Sequence, residues 1–286
     1  MNVAIVLVVY RHSDNEIAAV MSQINSLTGG PYRVFLVDHD IGRSFGPLAP
    51  NVVVLRPATN RGFCGGVNLA ARAAVEEDFD QLLLLNLDVH ELDIDLVMRL
   101  RLVLLTHPDA AFVSPAIRQW PRGEKLWYRG GVILKPLWMT CHPGFGNSVK
   151  RCGGEVRRTG YFSGCCALVD LAAFIAAGGF DERLFMYYDE ADLATRMERG
   201  HNRFSYLLDV PMLAHQKSGR GFNLNESYFH ARNARLVLER YESGWLRWIG
   251  RLGQRALAPL QMMRCGSSEG RRQYRRGMKV SISDLV

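Results

Sequence analysis

Three carboxylates, Asp189, Glu190 and Asp192, fall within four positions directly after the aromatic pair Tyr187-Tyr188. The pattern marks a helix start, where the helix dipole favours negative charge. Apolar and aromatic flanks point to a partly buried cluster that can supply a general base; a solvated acidic face is the plainer alternative. On a helix, residues 189 and 192 share a side and 190 points elsewhere. Asp189 and Asp192 can then serve the helix cap and neighbouring donors, with Glu190 turned to a cleft. A second group is Asn86-Leu87-Asp88, directly after the apolar run Leu82–Leu85. Alternate residues leaving a strand point to the same side, and paired oxygen donors suit Mg²⁺ or Mn²⁺ bridging a diphosphate; a capped strand end is the alternative.

Two further groups suit a nucleotide. Tyr10-Arg11 and Asp38-His39-Asp40 each close an apolar run. A flat ring can stack on a nucleobase and a carboxylate can accept its imide N–H, although polar loop residues need no such role. The stretch Asn60-Arg61-Gly62-Phe63-Cys64-Gly65-Gly66-Val67-Asn68 brings glycines to a helix start, where backbone can approach a phosphate. It is not the G-x-x-x-x-G-K-[ST] loop, and the first strand turn lacks G-x-G-x-x-G, which argues against a dinucleotide fold.

The elements that must hold these residues alternate in type. Val3–Val9, Val34–Val37, Val52–Leu55 and 81–86 read as buried strands. Helices are predicted over 14–27, 65–77 and 92–106. This alternation predicts an α/β fold with a mostly parallel sheet flanked by helices, whose ligands sit beyond the carboxyl ends of the strands. Further along, strands are predicted at Ala111–Ser114, Trp127–Leu134 and Phe204–Leu208, the last ended by a Val210-Pro211 turn. A mobile Gly-rich loop is predicted over 142–158. Helices are predicted at Leu171–Ala177 and from Asp189 to Gly200.

Composition bounds the rest. The chain has 286 residues, 48% hydrophobic and 22% charged, enough for a sizeable core and far from disordered or fibrous. Its longest apolar run, Val3 to Tyr10, is too short to span a bilayer, and its first cation, Arg11, follows the run, unlike a signal peptide. Six cysteines without C-x-x-C spacing suggest reduced thiols and a cytoplasmic setting. Of the charge of +7, residues 1–231 carry 23 Lys/Arg against 24 Asp/Glu, whereas 232–286 carry 12 against 4. The basic excess is a C-terminal feature and suggests an anionic membrane surface; nucleic acid is disfavoured because no binding motif accompanies the charge. Trp245, Trp248, Ile249, Leu252 and Ala256 fall on one side of a predicted helix, and Arg247, Arg251 and Arg255 on another, with Pro259 as its end. Docking of that helix on the body of the protein is the alternative.

Taken together, these motifs resemble the inverting family 2 glycosyltransferases with the GT-A fold, within them the rhamnosyltransferase-like branch. The resemblance covers roughly residues 3–240. It rests on Val9-Tyr10, Val37-Asp38, Asn60-x-Gly62-Phe63 to Asn68, Asn86-x-Asp88, the block Gly179-Phe180-Asp181-Glu182 through Asp189-Glu190-x-Asp192-Leu193 to Arg196, His215, and Tyr228-Phe229-x-x-Arg232-Asn233. The chain departs from the family where Leu87 replaces a proline and where Asp189-Glu190 inverts the usual Glu-Asp pair.

The resemblance implies a GT-A catalytic domain over 1–225, with a nucleotide-sugar half at about 1–110 and an acceptor half at about 111–225, and a basic helical extension over 226–286. It implies transfer of a sugar from a dTDP- or UDP-linked donor to a saccharide, lipid-linked or small-molecule acceptor. Tyr10, Arg11, Asp38, Asn60, Gly62, Phe63 and Asn68 would bind nucleotide; Asp88, Asn86 and His215 would hold Mg²⁺ or Mn²⁺. Glu190 would be the base, with Asp189 beside it. Asp192, Trp127, Tyr187, Lys217 and Arg220 would line the acceptor or diphosphate side. Two other readings stay open: a GT-A domain that binds sugar nucleotide without turnover, and a membrane-surface adaptor whose basic tail is the function.

Overall fold

A computed structural model describes residues 2–40, 42–46, 48–216 and 224–281. The order is β1 (Val3–Val9), α1 (Asp14–Asn25), β2 (Arg33–Asp38), β3 (Val52–Leu55), α2 (Gly62–Glu76), β4 (Gln81–Leu85), β5 (Val89–His90) and α3 (Leu96–Thr106). Then come β6 (Ala110–Gln119), β7 (Leu126–Tyr128), β8 (Val132–Leu134), β9 (Met139–Cys141), β10 (Val156–Thr159), β11 (Cys166–Asp170) and α4 (Leu171–Ala176). The chain continues through α5 (Asp189–His201), β12 (Phe204–His215), α6 (Leu224–Tyr241), α7 (Gly244–Met263) and α8 (Ser268–Lys279).

The main sheet runs β10-β12-β6-β11-β4-β1-β2-β3. Strands β3, β2, β1 and β4 are parallel, β11 lies antiparallel between β4 and β6, and β6 and β12 are again parallel. The predicted α/β sheet flanked by helices is borne out. Its strands are continuously apolar because both faces are covered. In β1, Val3, Ile5, Leu7 and Val9 face a layer built from α1 and α3. Ala4 and Val6 face the layer of α2, α4, α5 and α6. Ser13 caps α1 with a reciprocal Glu16 contact, the capping-box arrangement that starts a helix cleanly.

Four expectations are corrected. Trp127–Leu134 is not one strand: it divides into β7 and β8 around Gly130-Gly131, where Gly130 has φ +98°. The 142–158 stretch is not simply a loop. It holds a 3-10 turn at Val149–Arg151 and enters β10, which pairs antiparallel with β12; Asp209 fastens it through Gly153 N–H (2.9 Å) and Arg129 Nε (2.8 Å). The Val210-Pro211 pair does not end a strand, because Pro211 sits at a register irregularity against β6, a place where a strand tolerates a missing donor. Nor does Pro259 end α7. Pro259 and Arg255 are exposed, so the Arg255 carbonyl freed by the proline is on the solvent side of the helix.

Candidate active site

Strand ends at one edge of the sheet carry the site. Because β12 continues past Pro211, His215 pairs with Val89 of β5. Asp88, one residue before β5, then lies against it, with Asp88 Oδ2 3.0 Å from His215 Nε2. The Gln216 N–H donates to the Asp88 carbonyl at 2.8 Å. The His215 ring stacks on Trp127 with centroids 4.2 Å apart. Asp88 Oδ1 is enclosed and has no hydrogen-bond partner among the described residues.

Across from this pair stands the acidic helix start. Asp189 is 2% exposed. Burial raises its pKa well above the ordinary carboxyl range, and the adjacent Glu190 charge pushes the same way. Glu190 accepts from Gly164 N–H at 3.1 Å. Burial raises the Glu190 pKa too, but hydrogen bonds from its own backbone, Asp189 and Gly164 favour its charged form. The physical picture is a carboxyl pair in which Asp189 keeps the proton and Glu190 is the carboxylate. Against the expectation from helix geometry, both side chains line the same cleft, and Asp189 Oδ2 has no hydrogen-bond partner among the described residues.

The loop leading into this helix is strained. Phe185, Tyr187 and Tyr188 have φ of 66°, 64° and 67°, a region costly for bulky side chains. Helix α6 holds them there. Asn233, fully buried, donates from Nδ2 to the carbonyls of Leu184, Met186 and Tyr187 at 2.8–2.9 Å. Arg232 reaches the Arg183 carbonyl, and its Nε donates to Asn233 Oδ1 at 2.9 Å. Phe185 stacks on Phe229 (5.1 Å) and Tyr187 on His230 (5.0 Å). From the opposite side Gly62, at φ +68°, lets α2 abut this loop; a Cβ would collide with the Phe185 carbonyl and ring.

One cleft of about 570 Å³ brings together Asn86, Asp88, His215, Asp189, Glu190, Phe63, Trp127 and Tyr187. Its far wall comes from α6, α7 and α8, through His230, Gln261, Arg264 and Tyr274. Tyr10, Arg11 and Asp38 close adjacent strands at the same sheet edge, Val9 pairing with Asp38. Asp38 is buried, lies 3.5 Å from Arg56 Nε, and leaves Oδ2 without a hydrogen bond. Asn60 is used in the turn, accepting from Gly62 N–H at 2.8 Å.

Asn68 and Asp192 have other work than the sequence suggests. The Asn68 amide spans the Phe180 backbone, accepting from its N–H (2.9 Å) and donating to its carbonyl (2.8 Å). Asp192 is fully buried and ion-paired to Arg196 (2.9 Å) and Arg240, with Tyr241 OH donating at 2.7 Å. Neither is free for a ligand. Lys217 and Arg220 lie outside the described residues. Sequence reasoning missed Gly164, whose signal is only a glycine before Cys165, and the clamp by Arg232 and Asn233, which it saw as a motif without a job. It also missed His39, buried beside Asp38, with Nε2 3.1 Å from the Gly62 carbonyl; burial lowers its pKa.

The donor set of Asp88 and His215, with Asn86 nearby, suits a divalent cation. The unpartnered Asp88 Oδ1 is the atom such an ion would satisfy, with diphosphate oxygens completing the shell. Among the described residues no group of three His, Cys, Asp or Glu side chains forms a cage.

No protein-family model matches the chain. Two curated proteins do, the N-acetylglucosaminyl-diphospho-decaprenol L-rhamnosyltransferases of two Mycobacterium tuberculosis strains, CDC 1551 / Oshkosh and H37Rv. Each is 33% identical over 184 residues, covering 62% of this chain and 57% of the relative. Over that stretch the sequence resembles those rhamnosyltransferases. It spans little more than half the length of those relatives. Among solved structures, GalNAc-T7 with UDP, GalNAc and Mn²⁺ superposes with a TM-score of 0.66 at 13% identity, over 99% of this chain and 55% of that one. The mannosyltransferase PcManGT from Pyrobaculum calidifontis, with GDP-Man and Mn²⁺, gives 0.57 at 13%, over 99% and 78%. These likenesses bear out the expected GT-A glycosyltransferase fold.

Proposed function

We propose that the protein is an inverting glycosyltransferase that moves a sugar, L-rhamnose or a related deoxysugar, from a dTDP- or UDP-linked donor to a saccharide, lipid-linked or small-molecule hydroxyl in glycoconjugate synthesis. The observation that carries this reading is the single cleft in which the Asp189–Glu190 pair faces Asp88 and His215. The similarity to lipid-linked GlcNAc rhamnosyltransferases supports the sugar and the class of acceptor.

In this reading Tyr10, Arg11 and Asp38 receive the nucleoside, and Asp88 with His215 and Asn86 hold Mg²⁺ or Mn²⁺, which supplies neutralising charge at the diphosphate. Trp127 and Tyr187 offer flat faces to sugar C–H surfaces. Glu190, its carboxylate oriented by Gly164 N–H and kept ionised by a proton resident on Asp189, takes the proton of the acceptor hydroxyl. The acceptor oxygen bonds to the anomeric carbon as the carbon–phosphate oxygen bond breaks, and the nucleoside diphosphate leaves from the opposite face. One base suffices, whereas a hydrolase also needs an acid.

In this proposal residues 1–225 are the catalytic unit and residues 226–286 a basic helical extension. The proposed setting is cytoplasmic, with the extension resting on an anionic membrane; no helix among the described residues is long and apolar enough to cross a membrane. The deciding experiment is release of nucleoside diphosphate from a panel of nucleotide sugars with and without Mn²⁺ or Mg²⁺, with a GlcNAc-diphospho-lipid acceptor. Metal-dependent turnover of one donor supports the enzyme. Tight nucleotide binding without turnover on any donor refutes it in favour of a binding domain.

A further inference from the structure

Helix α7 is packed inside out. Its inner face is Gly250, Gly253 and Gln254. Gly250 abuts Leu238 and the Pro136 carbonyl so closely that a Cβ would collide with both, and Gly253 abuts Leu137. Gln254 donates to the carbonyls of Leu137 (2.8 Å) and Ala234 (2.9 Å). Leu257 and Met262 are half-buried, but six large apolar side chains point outward: Trp245 is 69% exposed, Trp248 61% and Met263 79%, with Ile249, Leu252 and Leu260 also exposed along the same stripe. An exposed contiguous apolar stripe of this length marks an interaction surface.

The edge of that stripe is a basic recess of about 620 Å³ between α6, α7 and α8. Arg235, Arg247, Arg251, Arg255 and Lys279 line it with, among the described residues, one carboxylate, Glu239. Glu239 is engaged by Arg251 at 2.5 Å, with Arg247 3.7 Å away. Arg235 donates to the carbonyls of Met278 (2.6 Å) and Val280 (2.8 Å). The side chains of Arg255 and Lys279 have no hydrogen bond or ion pair among the described residues. Burial lowers the Arg235 pKa; Glu239 opposes this, while the like charges of Arg255 and Arg251 add to it. Two turns of helix place Arg255 next to Trp248, so the recess opens beside the apolar stripe.

We infer that this recess is a phosphate site for anionic phospholipid headgroups and that the α7 stripe inserts beside it into the membrane interface. Two independent features of one helix meet the two parts of such a lipid, apolar stripe to acyl boundary and cationic recess to headgroup. Gln254 and Met278 line both this recess and the active-site cleft, so the two sites are back to back. Docking through α7 would bring the wall of the cleft to the membrane surface, where a lipid-linked acceptor resides. The inference rests on the membrane partner in the proposed function, not on glycosyl transfer.

Flotation of the full chain with vesicles of phosphatidylcholine, alone or mixed with phosphatidylglycerol, tests it. The wild type should float with the mixed vesicles and not with phosphatidylcholine alone. Trp245→Ser/Trp248→Ser, both exposed, should lose flotation. Arg255→Gln/Lys279→Gln should weaken partition about 30-fold, from two lost surface cations, and Arg255→Lys should retain it. Nucleotide release with a water-soluble acceptor should be unchanged in all of these, so failure of flotation and failure of the enzyme reading are separate results. Equal affinity for both vesicle types overturns the headgroup site. So does stabilisation by inorganic phosphate without flotation, which would make the recess a soluble-anion site. A dimer in sedimentation velocity that the tryptophan variant abolishes, without flotation of the wild type, assigns the stripe to a second copy and also overturns the inference.

Discussion

Replacing Asn233 by alanine removes, among the described residues, the one α6 side chain that reaches three carbonyls of the strained loop. Its Nδ2 carries two hydrogens against the carbonyls of Leu184, Met186 and Tyr187, so at most two strong hydrogen bonds are lost at once. Each buried carbonyl left unpaired costs about 1–3 kcal/mol. The same side chain holds Tyr187, whose positive φ also requires support from outside. A loss of about 3 kcal/mol follows, or a fall in Tm of roughly 6–12 °C for a chain of this size. The effect on chemistry should exceed the effect on folding. Glu190 follows the loop by two residues, and misplacing a reacting group by about 1 Å costs about 10²-fold. Differential scanning fluorimetry and nucleotide release at a temperature well below both melting points separate the two effects. Asn233→Asp keeps the volume and replaces the donors with oxygens that face carbonyl oxygens, so it should be at least as damaging. If Asn233→Ala melts and turns over like the wild type, α6 does not hold the loop and the proposed arrangement of the base is wrong.

Glu190→Gln should lose about 10²–10⁴-fold in turnover and still bind nucleoside diphosphate by thermal shift, whereas full activity would move the base elsewhere. Asp88→Ala should abolish the metal dependence of nucleotide binding in calorimetry without changing Tm in the absence of metal, and unchanged metal dependence would sink the assignment. Asp189 should impose a pH dependence on stability. Its folded pKa is raised, so its contribution is complete below the ordinary carboxyl pKa and is lost as pH rises through the folded value. Asp189→Asn should therefore gain Tm relative to the wild type as pH rises from acidic to neutral, and a pH-independent difference would contradict the raised pKa.

The parallel half of the sheet was legible because strands buried on both faces write themselves as unbroken apolar runs; β1, β3 and β4 lie where those runs do. The strand-end residues Asp38, Asn86 and Asp88 were legible for the same reason, since a polar residue that closes such a run has to sit at a sheet edge. What escaped depends on long-range contact. Pro211 reads as a strand end, and only the irregular pairing of β12 with β6 shows that the strand runs on to deliver His215. Asn68 and Asp192 carry the polarity of ligand-binding residues, yet the Phe180 backbone and the Arg196–Arg240 pair occupy them, and neither partner set is local. The role of Asn233 is likewise invisible in a helical stretch whose spacing only announces a buried face.

The glycine-lined inner face of α7 has a consequence for how the protein behaves at the bench. A helix whose docking side is glycine and glutamine cannot turn its tryptophans inward without ejecting Leu137 and Leu238 from their places, so the outward stripe is fixed and dissolving the protein in plain buffer leaves it wet. Such a surface should make the purified chain adhere to apolar matrices and to itself, most of all at high ionic strength where the repulsion of its net positive charge is screened, and a mild detergent should release it without altering its circular dichroism. Aggregation of this protein during purification would then report a surface separated from its natural solvent, not a misfolded chain.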